Sequence, residues 1–315
     1  MPSLTKEPVV SVVIPAFNAA ATISDTLASV FAQTLDDFEV IVVDDGSSDG
    51  TAQVVSSVRD TRIRIITQPN QGVAAARNTG IEAARGGLVA FVDADDLWLP
   101  AKLERQVSLL RADPRAEAVQ TAAYFVNSQF RVLSVRPCVD AAAADILPRC
   151  LRFENLPAFP SSVLARRESL VEIGMFDPSL VILEDWDLAL RFARRGSLRA
   201  IEEPLVLYRV HPGNRSRDVG IHIAPGQAIL RRLFEDPTLP PEIRRMRRQA
   251  YGSFYRMIAG GYLHSGRLAT SARWALRAIG QDPRQLGYAM ALPLRRIQRA
   301  ADRLRHPNPL GTGPA

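Results

Sequence analysis

Four apolar runs separated by segments of helical period constrain this chain more than any other feature. Val9 to Ile14, Glu39 to Val43, Arg62 to Ile66 and Leu88 to Val92 each read as a strand. Between the first two, Ala19 to Phe31 sets Ile23, Leu27, Val30 and Phe31 on one helical face, and Gly72 to Ala84 forms a second helix before the fourth strand. Parallel neighbours need a crossover, so this alternation predicts an α/β fold with a mainly parallel central sheet and helices on both faces. Successive strand ends then meet along one edge, the place where open α/β sheets bind ligands. Three loops converge there: Pro15 to Asn18, Asp44 to Asp49 and Asp93 to Asp96.

The last of these loops is the most charged. The run Phe91-Val92-Asp93-Ala94-Asp95-Asp96 crowds carboxylates at a strand end. They repel one another, and burial adds to the cost, so a positive partner is required. A hard divalent cation carrying a diphosphate on its free positions would serve. The same residues also read as a loop capping the helix predicted from Pro100 to Arg111, because Asp is a good N-cap and Pro suits the first turn.

Beyond that helix the alternation breaks. Strands are expected near 118–125 and 131–135, a helix near 141–151, a short apolar segment at 161–165, a helix from Asp185 to Arg195 and a strand from Pro204 to Arg209. From about Ala224 helices dominate. Tyr251 to His264 and Arg267 to Ile279, joined by Ser265-Gly266, read as a hairpin, and Leu292 to Leu304 as a basic amphipathic helix. The expected organisation is an α/β domain over 1–222 (halves at about 8–112 and 113–222), a basic helical extension over 223–306, and a Pro/Gly-rich tail over 307–315 expected to be disordered.

The net charge of +6 conceals a division, since residues 226–306 hold 16 Arg against 5 acids. That excess fits either an anionic membrane surface or a solvated Arg-rich face, and no nucleic acid is expected as a partner. Cys138 and Cys150 form neither a metal-ligand spacing nor a disulfide framework, which predicts a reducing compartment. There is no apolar leader-like region and no stretch near 18 uninterrupted apolar residues. The expectation is a cytoplasmic chain, peripheral at most on the cytoplasmic face of the inner membrane.

Four motifs stand in order at the strand ends: Pro15-Ala16-Phe17-Asn18, Asp44-Asp45-Gly46-Ser47-Ser48-Asp49, Gly72 to Gly80 with Arg77-Asn78, and Asp93-Ala94-Asp95-Asp96. Gly174-Met175-Phe176-Asp177, Glu184-Asp185-Trp186-Asp187 and Tyr208-Arg209-Val210-His211 follow. Together they resemble glycosyltransferase family 2, with its GT-A fold, across roughly residues 8–215. Each motif alone is weak, and the ordered set is specific.

The resemblance implies an inverting, metal-dependent hexosyltransferase that moves a sugar from a nucleotide-diphosphate donor, UDP- or dTDP-linked, to a glycan or lipid-linked acceptor in cell-surface polysaccharide synthesis. Pro15, Phe17, Asn18, Asp44 and Asp45 would hold base and ribose. A carboxylate suits an imide N–H, so Asp45 or Asp44 would read the base, although Asp45 to Asp49 also looks like a helix-capping turn. Arg77 would reach the diphosphate with its planar fork or stand as an ordinary helix charge. Asn78 would act there too or fix the loop from within. Asp93 would touch ribose or sugar, Asp95 would ligate Mn²⁺ or Mg²⁺, and Asp96 would support them. His211 would add a metal contact or remain a loop residue.

Asp185 is the expected catalytic base, with Glu184 and Trp186 beside it at the substrate. The same acids could simply complement a helix amino terminus. Trp98 and Trp186 fit an acceptor platform or packing, and Trp274 fits core.

Other enzyme classes fit less well. Phosphatases of the haloacid-dehalogenase type place their Asp-x-Asp after the first strand and continue, after one residue, with Thr or Val, whereas here the motif ends the fourth strand and continues Asp96-Leu97. No Gly-x4-Gly-Lys-Ser/Thr is present. A non-catalytic sugar-nucleotide-binding or membrane-adaptor protein would use the same loops without Asp185.

Overall fold

The computed structural model describes residues 7–141, 143–154, 156–211, 213–214 and 218–290. The amino-terminal half follows the alternation of its sequence: β1 (Val10–Ala16), α1 (Ile23–Phe31), β2 (Phe38–Asp44), α2 (Thr51–Ser57), β3 (Ile63–Thr67), α3 (Val73–Ala83) and β4 (Leu88–Phe91). These strands lie in the order β3-β2-β1-β4, all parallel. Successive side chains of a strand point to opposite faces, and the core divides accordingly. Val13, Ile41, Val89 and Phe91 join one apolar cluster with α3, while Val12, Ile14, Val40, Val42 and Ala90 join another with α1. α3 lies close on β1, because a side chain at Gly80 would meet Val13 Cγ1 at 2.2 Å.

The second half adds β5 (Leu97–Trp98), α4 (Lys102–Ala112), β6 (Ala118–Val126), β7 (Val132–Arg136), α5 (Ala143–Leu151), β8 (Leu164–Arg166), α6 (Arg167–Glu172), α7 (Glu184–Arg194) and β9 (Leu198–Arg209). The sheet continues β4-β8-β6-β9-β5, with β7 on β6. The expected mainly parallel sheet holds by residue pairing, through β3-β2-β1-β4 and β6–β9, and this second half adds antiparallel pairs to it. β8 is antiparallel to both β4 and β6, β5 is antiparallel to β9, and only β6 and β9 pair in parallel. The sheet is therefore mixed. β9 also begins before Pro204, where the sequence reading starts it. Proline has no N–H for the ladder, and the β6–β9 register shifts beside it, between Thr121 and Ala123.

A short 3₁₀ turn (Val219–His222) leads into α8 (Ile223–Glu235), α9 (Pro241–Arg245), α10 (Arg247–His264), α11 (Leu268–Gln281) and α12 (Gln285–Met290). α10 and α11 form the expected hairpin, each beginning or ending within a turn or so of the predicted bounds. α8 packs closely on α10, since a Cβ at Gly226 would lie 2.3 Å from the Phe254 ring. One apolar cluster runs from Val13 and Phe91 through Trp186 to Ile229, Phe254 and Trp274, so these helices extend the core of the sheet. Among the described residues no helix is long and apolar enough to cross a membrane. The amphipathic helix expected at Leu292 to Leu304 and the tail over 307–315 lie outside the described residues.

Candidate active site

The first two loops are stitched together at the carboxyl ends of β1 and β2. Pro15 is buried opposite Val43, whereas Phe17 is 52% exposed. Asn18 takes the left-handed conformation (φ 51°) that its short polar side chain tolerates. Its Oδ1 accepts the Ser48 N–H at 2.9 Å, and its own N–H donates to Ser47 Oγ at 2.9 Å. Ala19 N–H and Ala20 N–H reach Thr51 Oγ1 and Asp49 Oδ2.

The acidic pair divides its work. Asp45 Oδ1 accepts from Gln68 Nε2 at 2.8 Å and from the Gln71 N–H at 2.9 Å, while Oδ2 accepts the Gly72 N–H at 2.8 Å. A buried carboxylate so engaged pins the start of α3 and is a poor base reader. Asp44, equally buried, accepts the Ser47 N–H on Oδ1 alone. Of the two expected readers, Asp44 keeps the freer carboxylate.

Arg77 corrects its expectation more sharply. It is buried within α3 and donates to Glu184 Oε1 at 2.6 Å and to Asp93 Oδ1 at 2.7 Å, with Phe176 against its guanidinium. Flanked by two carboxylates, it is held ever more firmly protonated, despite burial. A guanidinium so engaged is a tether between two segments, and it is neither an ordinary exposed charge nor a free fork for a diphosphate. Asn78 beside it clasps Phe176, donating to its carbonyl at 2.8 Å and accepting its N–H at 3.0 Å.

On the third loop, Asp96 is fully buried. Its Oδ2 accepts Ser161 Oγ–H at 2.6 Å and its Oδ1 the Arg209 N–H at 3.0 Å. Ser161 Oγ also accepts the Asp93 N–H. Asp96 therefore anchors the end of β9 and the loop itself. Burial, then the charges of Asp95 and Asp93, push its carboxyl well above the ordinary range.

Asp95 faces outward to His211. The Gly213 N–H points at His211 Nδ1 (3.1 Å), which leaves the proton on Nε2, and that N–H donates to Asp95 Oδ2 at 2.7 Å. Burial and Asp93 raise the Asp95 carboxyl, with His211 working the other way. Such a carboxylate is short of positive charge, and a divalent cation would reverse the shift. Among the described residues no group of three or more His, Cys, Asp or Glu side chains could hold an ion by itself. Asp95 with its neighbours thus suits an ion that takes its remaining ligands from a bound diphosphate or water.

Asp185 stands in the first turn of α7, behind Leu183 in a left-handed backbone conformation (φ 67°) that is costly for a branched side chain. Burial, followed by the adjacent Glu184 charge, pushes its carboxyl up to about 7, against the opposing influence of Arg77 and of the Trp186 N–H that Oδ1 accepts at 2.7 Å. Through Glu184 and Arg77 this helix end is tied to Asp93.

Trp186 does not line the cleft. It is 3% exposed, its Nε1–H donates to the Cys150 carbonyl at 3.1 Å, and its ring stacks on Phe153 (4.4 Å) and Phe254 (6.1 Å). The expectation of substrate contact is replaced by packing. Trp98 is also core: its Nε1–H donates to the Ser161 carbonyl, and Lys102 Nζ lies 3.9 Å from its ring centroid. Trp274 is buried on α11. Sequence reasoning missed Ser161, which joins Asp93, Asp96 and Trp98, and Gln68, which accepts from Thr79 while donating to Asp45. Neither belongs to a recognisable pattern.

A mainly parallel α/β sheet with antiparallel additions, whose strand ends gather an Asp-x-Asp loop, an acidic pair and a helix-borne carboxylate, defines the GT-A class of glycosyltransferase fold. Residues 11–174 match the family model described as Glycosyl transferase family 2, and this chain belongs to that family. The succinoglycan biosynthesis protein ExoO of Rhizobium meliloti is 32% identical over 98% of this chain and 91% of its own length. An uncharacterized glycosyltransferase of Nostoc, alr2836, is 32% identical, and the match covers 65% of this chain and 66% of that relative. Among solved structures, the mannosyltransferase PcManGT of Pyrobaculum calidifontis, in complex with GDP-Man and Mn²⁺, superimposes with a TM-score of 0.59 at 26% identity, over 94% of this chain and 85% of that one.

Proposed function

We propose that the protein is an inverting, metal-dependent glycosyltransferase that moves a sugar from a nucleotide-diphosphate donor to an acceptor hydroxyl. The observation that carries this reading is Asp185: a carboxyl raised to about 7 at a helix end, linked by Glu184 and Arg77 to the Asp-x-Asp loop. A general base works best with a pKa near ambient pH.

In this reading the Asp185 carboxylate takes the proton of the acceptor hydroxyl. The freed oxygen attacks the anomeric carbon from the face opposite the diphosphate, and the bond from that carbon to the phosphate oxygen breaks. The nucleoside diphosphate leaves with the electron pair, and the anomeric configuration inverts. Phe17, Asn18 and Asp44 hold base and ribose, and Asp93, fixed by Arg77, orients ribose or sugar. Asp95 and His211 would hold Mn²⁺ or Mg²⁺, and the ion would neutralise charge on the departing diphosphate. The complex of PcManGT with GDP-Man and Mn²⁺ supports a nucleotide-sugar donor and a metal. The role in the name of ExoO, succinoglycan biosynthesis, supports a glycan product; a lipid-linked acceptor at the cytoplasmic face of the membrane is part of the proposal.

The test is to incubate the protein with Mn²⁺ and a panel of nucleotide sugars and to follow nucleoside diphosphate release with and without lipid-linked acceptors. Acceptor-dependent release is expected. Release of inorganic phosphate would point to a phosphatase, and metal-dependent donor binding without turnover on any acceptor would point to a binding protein.

A further inference from the structure

The carboxyl-terminal helices hold a feature that the proposed transfer does not use. α8, α10 and α11 enclose a groove of about 370 Å³ lined by Arg231, Arg247, Arg248, Tyr251 and Tyr255. It continues past Tyr255 into a second hollow of about 540 Å³, where Arg277 stands. All four arginines are exposed. Among the described residues none of them has a carboxylate partner, whereas their neighbour Arg232 pairs with Asp177 and Asp187. What holds them leaves their charge in place: Arg248 donates to the carbonyls of Gly280 and Gln281, Arg277 lies 4.6 Å from the Trp274 ring centroid, and Arg247 lies 5.9 Å from that of Tyr251. Like charges gathered this way repel, and an anion relieves them. Guanidinium forks match phosphate oxygens in particular.

The surroundings indicate where that phosphate resides. Leu268 and Leu276 on α11 are 65% and 70% exposed, and Leu286 on α12 is 54% exposed. Leu276 stands one turn before Gly280, which lines the hollow, so leucine and groove share a face of α11. A freely dissolved phosphate has no use for exposed leucines, whereas arginines bordered by apolar side chains suit the boundary between headgroups and acyl chains. We propose that this groove binds the phosphate headgroups of an anionic membrane surface while Leu276 and Leu268 enter the headgroup layer. The site belongs to the described helices and is separate from the Arg-rich segment beyond residue 290.

The test is co-sedimentation of the full chain with phosphatidylcholine vesicles and with vesicles that also contain phosphatidylglycerol, at low and at physiological salt. Binding is expected only with phosphatidylglycerol and weakens as salt rises. A basic residue near an anionic surface contributes about fivefold, so R231A/R247A/R277A should lower partitioning on the order of a hundredfold. L276S should lower it too, with the circular dichroism spectrum of each variant unchanged. Undiminished partitioning of the triple variant would overturn the proposal. So would arginine-dependent binding of inorganic diphosphate, followed by calorimetry, in a protein that ignores vesicles. Neither readout depends on glycosyl transfer.

Discussion

At Asp185 several electrostatic influences compete, and their sizes decide the outcome. The amino end of α7 favours an ionised carboxylate, but a helix end contributes only about 0.3–1 kcal/mol at an exposed site. Arg77 also favours ionisation, yet it is shared between Glu184 and Asp93. Burial and the Glu184 charge prevail and bring the group to about 7. If Asp185 is the base, kcat should rise with pH through about 7 and level off above it, because only the ionised form accepts a proton. A flat profile between pH 5 and pH 9 would remove the assignment. Asp185→Asn should lower transfer by about 10²–10⁴-fold with donor affinity little changed. The same substitution should affect stability. A carboxyl whose folded-state pKa is raised favours folding while it is protonated, and that contribution is lost as pH climbs from the ordinary carboxylate range to about 7. Asparagine stays neutral, so the melting temperature of the variant should exceed that of the parent above pH 7, as calorimetry would show.

Among the elements, α3 and α7 are joined through the Arg77–Glu184 ion pair. Removing Arg77 as Arg77→Met leaves Glu184 buried without its cation, and breaking a buried pair typically costs about 3–5 kcal/mol, to be read from urea unfolding. How much of this was legible beforehand varied with distance along the chain. β1, β2 and β4 are apolar on both faces, so their runs stand out unaided. β5 and β8 are two and three residues long and exist only because β9, β4 and β6 lie beside them. The strand-end acids, likewise, were visible as a set, but their individual duties were not. Asp45 is absorbed by N–H groups some 27 positions away and Arg77 by a carboxylate 107 positions away, and no local pattern encodes such partners. Trp186 was misplaced for the same reason, since its stacking partner Phe254 arrives on a helix far downstream.

For the whole molecule, metal removal is the broadest test of the proposed chemistry. Chelation should abolish transfer and be reversed by Mn²⁺, while the thermal transition shifts little, because among the described residues no protein cage exists for the ion to hold together. The helical extension poses a different question, because its core is shared with the sheet. Trp186, next to the expected base, rests on Phe254 of α10, and Gly226 of α8 admits that same ring. Shared core of this kind predicts that the base-bearing helix and the last helices unfold as one cooperative unit. Native-state hydrogen exchange should therefore find the amides of α7 and α10 opening together, with one free energy and one denaturant dependence. By the same logic a chain ending at residue 222 would not be a minimal catalyst: it would uncover the part of the Trp186 indole that Phe254 covers, and the segment that positions Asp185 would fray at equilibrium.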